Sequence, residues 1–308
     1  MNNTPAKEPT DGFVSTPEGQ IHYLDWGGNG HQVHFLHGNG FCAGTYTPFF
    51  KFLTADFRLF ASDVRGHGQS NFHGLRRIHH WEIFADDLKH VIGKVMSPPV
   101  TGMGHSLGAV TTLIAAAKFP ELFTDIILID PVIFSKRRLW LIAMMKNLGL
   151  RGNIPLVRST RRRKRVFTDK QSALKRFSAG RGVFKSWSKE FIEAYLECGL
   201  LEKDAESATL KCDPELEAQI FESVPLNIWS YVNKISCPVL ALRGAASDTF
   251  VPAVARKLQA MVPNFELVEI PQSGHFVPME QPRACFRAIN AFLERLLCAE
   301  KSPAPVGL

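Results

Sequence analysis

Six cysteines, at 42, 198, 212, 237, 285 and 298 of 308 residues, form no CxxC pair, no zinc-ligand spacing and no regular framework. A disulfide scaffold and a structural zinc site are thereby excluded, and the pattern reads as reduced thiols in a cytoplasmic protein. No run of about 18 apolar residues occurs, so no spanning helix is expected. The opening MNNTPAKEPTDG lacks the charged start and apolar stretch of a secretory signal. His79-His80 has no matching His, Asp or Glu spacing, so no metal is implied. Gly102-x-Gly104-x-x-x-Gly108 imitates a dinucleotide fingerprint, but its third glycine falls one residue late, and no cofactor is expected. The basic run Arg161-Arg162-Arg163-Lys164-Arg165 stands without a binding module or interleaved aromatics, which argues against nucleic acid and for a solvated, mobile loop.

What is present is a chain rich enough in apolar residues, 45%, to bury a large core. Short apolar runs alternate with helical patterns: 32–36, 58–62, 100–103, 126–129, 238–242 and 265–270 have the length of strands. Most are apolar on both faces, as in a parallel sheet covered by helices. Leu107, Val110, Leu113, Ile114 and Ala117 recur at helical spacing. The expected fold class is α/β, a mostly parallel central sheet flanked by helices. The alternation stops near Val132 and resumes near Ser236. This divides the chain into a core of residues 13–133 and 234–296 and an inserted helical cap of residues 134–233 with no convincing strand. Loose tails are expected at 1–12 and 299–308. The net charge of +7 belongs to the insertion, where residues 132–233 hold 19 Lys+Arg against 11 Asp+Glu.

Gly104-His105-Ser106-Leu107-Gly108 fits G-x-S-x-G between an apolar strand and an amphipathic helix. A sharp strand-to-helix turn needs glycine on both flanks and lifts the serine hydroxyl above the sheet. Ser106 is therefore the candidate nucleophile, and the Leu107 N–H at the helix N-terminus a candidate oxyanion donor. Such a serine needs a base, and the base an orienting carboxylate, at the ends of later strands. His275 in Gln272-Ser273-Gly274-His275 is the candidate base. Asp248, in the loop after 238–242 and before Phe250-Val251-Pro252, is the preferred acid. Asp130, after 126–129, is its rival, although Pro131 also fits it to a turn-forming role. A second oxyanion donor is expected from His37-Gly38-Asn39-Gly40, with the Asn39 N–H first and Phe41 second.

With His37-Gly38, Asp63-Val64-Arg65-Gly66-His67-Gly68-Gln69-Ser70 and the 104–108 elbow, the sequence resembles the α/β-hydrolases of the esterase, lipase and C–C hydrolase branch over residues 13–133 and 234–296. The resemblance implies an α/β-hydrolase fold with a cap. Asp63 and Arg65 are read as bracing the loop beside the elbow. Relatives that cleave epoxides or haloalkanes attack with Asp at the elbow, so Ser106 points to acyl transfer to water.

The expected activity is cleavage of a carboxylic ester or related acyl bond through a Ser-His-Asp triad and an acyl-enzyme, by a carboxylesterase or lipase-like acyl hydrolase. Cap aromatics Trp140, Phe167, Phe177, Phe184, Trp187, Phe191, Phe221 and Trp229 favour a small hydrophobic substrate. Cofactor-free haloperoxidase or C–C hydrolase activity, and a non-catalytic ligand receptor on the same fold, are the alternatives. The basic cap segment beside Leu139–Met145 also fits weak contact with an anionic membrane surface.

Overall fold

A computed structural model of the chain describes residues 8–73, 77–204 and 207–301. Eight strands build the main sheet: β1 (Thr10–Thr16), β2 (Gly19–Asp25), β3 (His31–Leu36), β4 (Phe57–Ser62), β5 (Val100–His105), β6 (Phe123–Ile129), β7 (Val239–Gly244) and β8 (Phe265–Ile270). Their spatial order is β1-β2-β4-β3-β5-β6-β7-β8, with a two-residue pairing of Asn71–Phe72 on β2. From β4 to β8 every pairing is parallel. The β1-β2 and β2-β4 pairings are antiparallel.

All six strands expected from sequence are present; most are apolar on both faces and covered on both, while the edge strand β8 carries Glu266 and Glu269 and is only half-buried. β6 makes the point residue by residue. Ile126 and Leu128 pack into the core on one side of the sheet with Leu88, Ile92 and Leu113, whereas Ile127 and Ile129 join Phe35, Phe49, Phe50 and Met103 on the other. The same alternation sends Val239 and Ala241 one way and Leu240 and Leu242 the other. Burying each such side chain is worth about 1.5–3 kcal/mol. Helices α1 (Glu82–Val95) and α2 (Leu107–Lys118) supply one cover.

Between β6 and β7 lie α3 (Lys136–Asn147), short helices at Pro155–Arg161 and Lys170–Phe177, then α4 (Lys189–Gly199), α5 (Pro214–Glu222) and Ile228–Val232. This segment is not purely helical, contrary to expectation. Val166–Phe167, Ser207–Leu210 and Leu200–Asp204 form a small antiparallel sheet, with strands too short to show a period.

Nor is the basic run a free loop. Arg161 makes paired hydrogen bonds to Glu215 (2.7 and 3.0 Å) and an ion pair with Glu222 (3.0 Å), Arg163 pairs with Glu217 (2.7 Å), and Arg165 with Asp213. Every second cation thus meets the acidic α5 or its N-cap, while Arg162 and Lys164 are exposed. The expected tails also shrink: Thr10, Asp11 and Gly12 pair with Asp25, Leu24 and Tyr23, and the last helix, α6 (Pro282–Lys301), continues to 301. Residues 1–7 and 302–308 lie outside the described residues.

Gly93, exposed near the end of α1, has open space where a Cβ would stand. Gly93→Ala is expected to raise stability by about 0.5–1 kcal/mol, since alanine loses less backbone entropy in a helix. The urea unfolding midpoint checks it, and a lowered midpoint would contradict the helix geometry at this site.

Candidate active site

The strand-to-helix turn at Ser106 is forced by contact between elements. A Cβ on Gly108 would lie 2.0 Å from the Leu36 carbonyl oxygen of β3, and one on Gly104 would lie 2.3 Å from the Gly108 backbone. Ser106 consequently adopts φ 57°, ψ −114°, a region costing about 1–3 kcal/mol for a residue with a side chain. Its N–H donates to the Ile129 carbonyl (3.0 Å) and its own carbonyl accepts from Val110 N–H (3.3 Å), which fixes the turn from both sides.

Ser106 Oγ lies 2.9 Å from His275 Nε2, so the serine and histidine picked out in the sequence meet in space. The carboxylate at the other ring nitrogen is not the preferred one. Asp130 Oδ1 lies 2.8 Å from His275 Nδ1, while Asp248 is exposed and, among the described residues, accepts only a long, 3.4 Å, hydrogen bond from the Thr249 hydroxyl. The physical reason lies in the loop after β7. Arg243, 4% exposed, donates to the carbonyls of Phe250, Ala245 and Ser247 and pairs with Glu269, curling that loop so that Ser247 faces inward and Asp248 outward. Ser247 Oγ then donates to Asp130 Oδ1 (2.6 Å) and Gly244 N–H to Oδ2 (2.9 Å). The fully buried Asp130 carboxylate thus has three donors when His275 carries its proton on Nδ1. Asp130 itself sits at φ 40°, in the left-handed region, with its N–H donating to Leu242 O (2.8 Å).

The expected oxyanion loop reaches the elbow. Gly38 lies against it, since a Cβ there would be 3.3 Å from Ser106 Cβ. The Asn39 N–H has no protein acceptor among the described residues, whereas the Phe41 N–H donates to the Gly38 carbonyl (3.3 Å). Phe41 is thereby removed as the second-choice donor. Its ring instead packs with Trp187, Tyr195 and Phe276, at centroid distances of 5.4, 5.8 and 6.0 Å, as a wall beside the site. Leu107 opens α2 directly after Ser106, so its N–H is one of the unpaired donors at a helix N-terminus.

The D-x-R-G-x-G-x-S loop braces this arrangement. Asp63 accepts from Ala43 N–H (2.7 Å), Gln69 N–H (2.9 Å) and His22 Nδ1–H (2.8 Å). Burial alone would raise its pKa, but the His22 hydrogen bond and nearby histidines hold it below the usual carboxylate value. His37 Nδ1–H donates to the Gly38 carbonyl (2.7 Å) while its Nε2 accepts from Val64 N–H (2.8 Å), and His67 Nε2 accepts from Gly40 N–H (3.1 Å). Arg65 clamps Asp87 with two 2.7 Å bonds.

Two positions escaped the sequence reading. Gly38 N–H donates to the Tyr46 hydroxyl (3.1 Å), which donates to His105 Nδ1 (2.7 Å), and His105 Nε2–H donates to the His275 carbonyl (2.8 Å). This chain, buried as far as His105, ties the candidate oxyanion loop to the backbone of the candidate base. The signal was the identity of the variable residue inside G-x-S-x-G: a histidine beside the nucleophile needs partners.

Of the cap aromatics, Phe177, Phe184 and Trp187 pack together and reach the site through Phe41 and Phe276. Trp140 does not line it, being 65% exposed, and Trp229 packs into the core while donating to the Phe134 carbonyl (3.0 Å). Among the described residues no group of three or more His, Cys, Asp and Glu side chains is arranged to hold a metal.

A model of the alpha/beta hydrolase family matches residues 35–288. The chain belongs to that family. It is 26% identical over 269 residues, 87% of this chain and 89% of the relative, to the 2-(acetamidomethylene)succinate hydrolase of Mesorhizobium japonicum. It is 24% identical over 297 residues, 90% of this chain and 87% of the relative, to an esterase of Mycobacterium tuberculosis. A solved structure of E-2-(acetamidomethylene)succinate hydrolase superposes with a TM-score of 0.75 at 22% identity, covering 93% of this chain and 99% of that one. This α/β hydrolase is thus an enzyme of hydrolytic type, and no helix among its described residues is long and apolar enough to cross a membrane.

Burial depresses His34, His67 and His105 to pKa values of about 3. The unfolded chain takes up protons on these rings near the ordinary histidine pKa of about 6.5, which the folded chain refuses until about pH 3. Stability is therefore greatest above about pH 6.5 and falls with acidification, by up to about 1.4 kcal/mol per pH unit for each ring. Thermal unfolding followed from about pH 7.5 to about pH 5 is expected to lose midpoint steeply, and a flat profile would contradict neutral buried rings.

Proposed function

We propose that this hydrolase cleaves a carboxylic ester of a hydrophobic substrate through an acyl-enzyme on Ser106. The observation that carries the reading is the continuous line of hydrogen bonds, 2.9 Å from Ser106 Oγ to His275 Nε2 and 2.8 Å from His275 Nδ1 to Asp130 Oδ1. In that line His275 takes the serine proton as Oγ attacks the carbonyl carbon, and the Asn39 and Leu107 N–H groups receive the developing oxyanion. His275 next protonates the leaving alcohol, then activates water to release the acid, while Asp130 stabilises the imidazolium throughout. The aromatic wall of Phe41, Trp187 and Phe276 beside His275 supports an apolar acyl or alcohol group. A relative named as an esterase supports the ester over other acyl compounds. The thiols of Cys42, Cys198, Cys212, Cys237 and Cys285 fit a reducing compartment and support a cytoplasmic location.

Stopped-flow hydrolysis of p-nitrophenyl esters of increasing chain length tests this reading, with folding of each variant checked by circular dichroism. A burst followed by steady turnover is expected for the wild type. Ser106→Ala and His275→Ala should remove both phases, Asp130→Asn should lower turnover by up to about 10⁴-fold, and Asp248→Asn should leave it nearly unchanged. Full turnover in Asp130→Asn, or collapse in Asp248→Asn, would return the role to Asp248.

A further inference from the structure

Residues 131–168 contain eleven Lys and Arg and no Asp or Glu. Within that stretch the structure leaves large apolar side chains in water: Trp140 is 65% exposed, Leu148 64%, Leu156 53%, Leu141 49%, Leu150 43% and Met144 41%. On α3, Trp140, Leu141, Met144 and Leu148 follow one another at helical spacing, so they form one outward stripe. The opposite side is anchored, since Leu139 is buried in the core cluster that also holds Ile220 and Trp229. Arg137 continues the stripe one turn earlier with Lys136 at its side, and Lys146 and Arg158 lie in the same segment. These four cations are exposed and make no ion pair among the described residues. A solvated face would not be expected to gather six large apolar groups, and a protein-packing face would not be expected to set unpaired cations in a segment with no carboxylate of its own, where, among the described residues, only Arg151 and the 161–165 run find acidic partners, on α5 and its N-cap.

We infer that the α3 face, with the turn and short helix after it, docks on an anionic phospholipid surface. Trp140 and the leucines would enter the headgroup boundary while Lys136, Arg137, Lys146 and Arg158 meet lipid phosphates. Charge complementarity selects this occupant over a second copy of the chain, because two such faces would oppose unpaired cations to unpaired cations. α3 begins six residues after Asp130, so docking would hold the cap and the site beneath it next to a lipid-dissolved substrate. The inference does not depend on the proposed chemistry, because its test reads binding.

The full-length protein is sedimented with vesicles of phosphatidylcholine alone and of phosphatidylcholine mixed with phosphatidylglycerol, at low and high salt. Binding to the anionic vesicles, weakened by salt, is expected, with little binding to the neutral ones. Trp140→Ser/Leu148→Ser should abolish it, and each of Lys136→Gln and Arg137→Gln should weaken it about fivefold. These changes are at exposed positions, so circular dichroism and fluorophosphonate labelling without vesicles should match the wild type. A wild type that stays in the supernatant, or a double variant that still sediments, would overturn the proposal. So would concentration-dependent dimerisation abolished by the double variant without vesicle binding, which would assign the face to a second copy.

Discussion

The close approach of α2 to β3 is the constraint from which the site follows. With Gly108 against the Leu36 carbonyl there is no room for a gentler turn, so the residue between β5 and α2 must adopt a left-handed conformation and present its side chain above the sheet edge. A serine held this way has its hydroxyl exposed to the loops after β6, β7 and β8 and its neighbouring N–H at a helix terminus. The strain is offset by backbone hydrogen bonds to Ile129 and from Val110. The Gly38, Tyr46, His105 and His275 chain then holds the 37–40 loop and His275 in register with that one turn.

The central parallel sheet was legible because strands buried on both faces must be largely apolar, and 126–129 and 238–242 are wholly so. β1 and β2 went unread because they form the antiparallel end of the sheet, alternate polar with apolar side chains, and carry Gly12, Gly19 and polar groups along their length. The meeting of Ser106 and His275 was legible from flanking glycines and strand ends. The carboxylate that reaches His275 was not, since both candidates follow strands and only tertiary geometry separates them. Asp130 enters the site through a left-handed backbone, next to a proline that mimicked a plain turn, while the buried Arg243 rotates Asp248 away.

The cap departs further from its sequence reading because its charges are paired across elements distant in sequence. The Arg161, Arg163 and Arg165 alternation becomes a seam only when α5 brings Glu215, Glu217 and Glu222 alongside. That seam also reaches the site, since the Glu217 carbonyl accepts from the Asn39 side-chain amide (3.0 Å). The inserted segment and the 37–40 loop are thus linked, whereas the cations of α3 beyond the seam have no ion pair among the described residues. One inserted segment therefore presents two electrostatic surfaces: a neutralised one that meets the core and a cationic, apolar one that meets the surroundings.

Intact-protein mass spectrometry after brief incubation with a fluorophosphonate or a slowly deacylating ester, followed by peptide mapping, tests the central claim most directly. One adduct per chain, located on Ser106, is the predicted result. An adduct on another residue, or an unmodified chain under conditions where the ester is hydrolysed, would contradict an acyl-enzyme at Ser106.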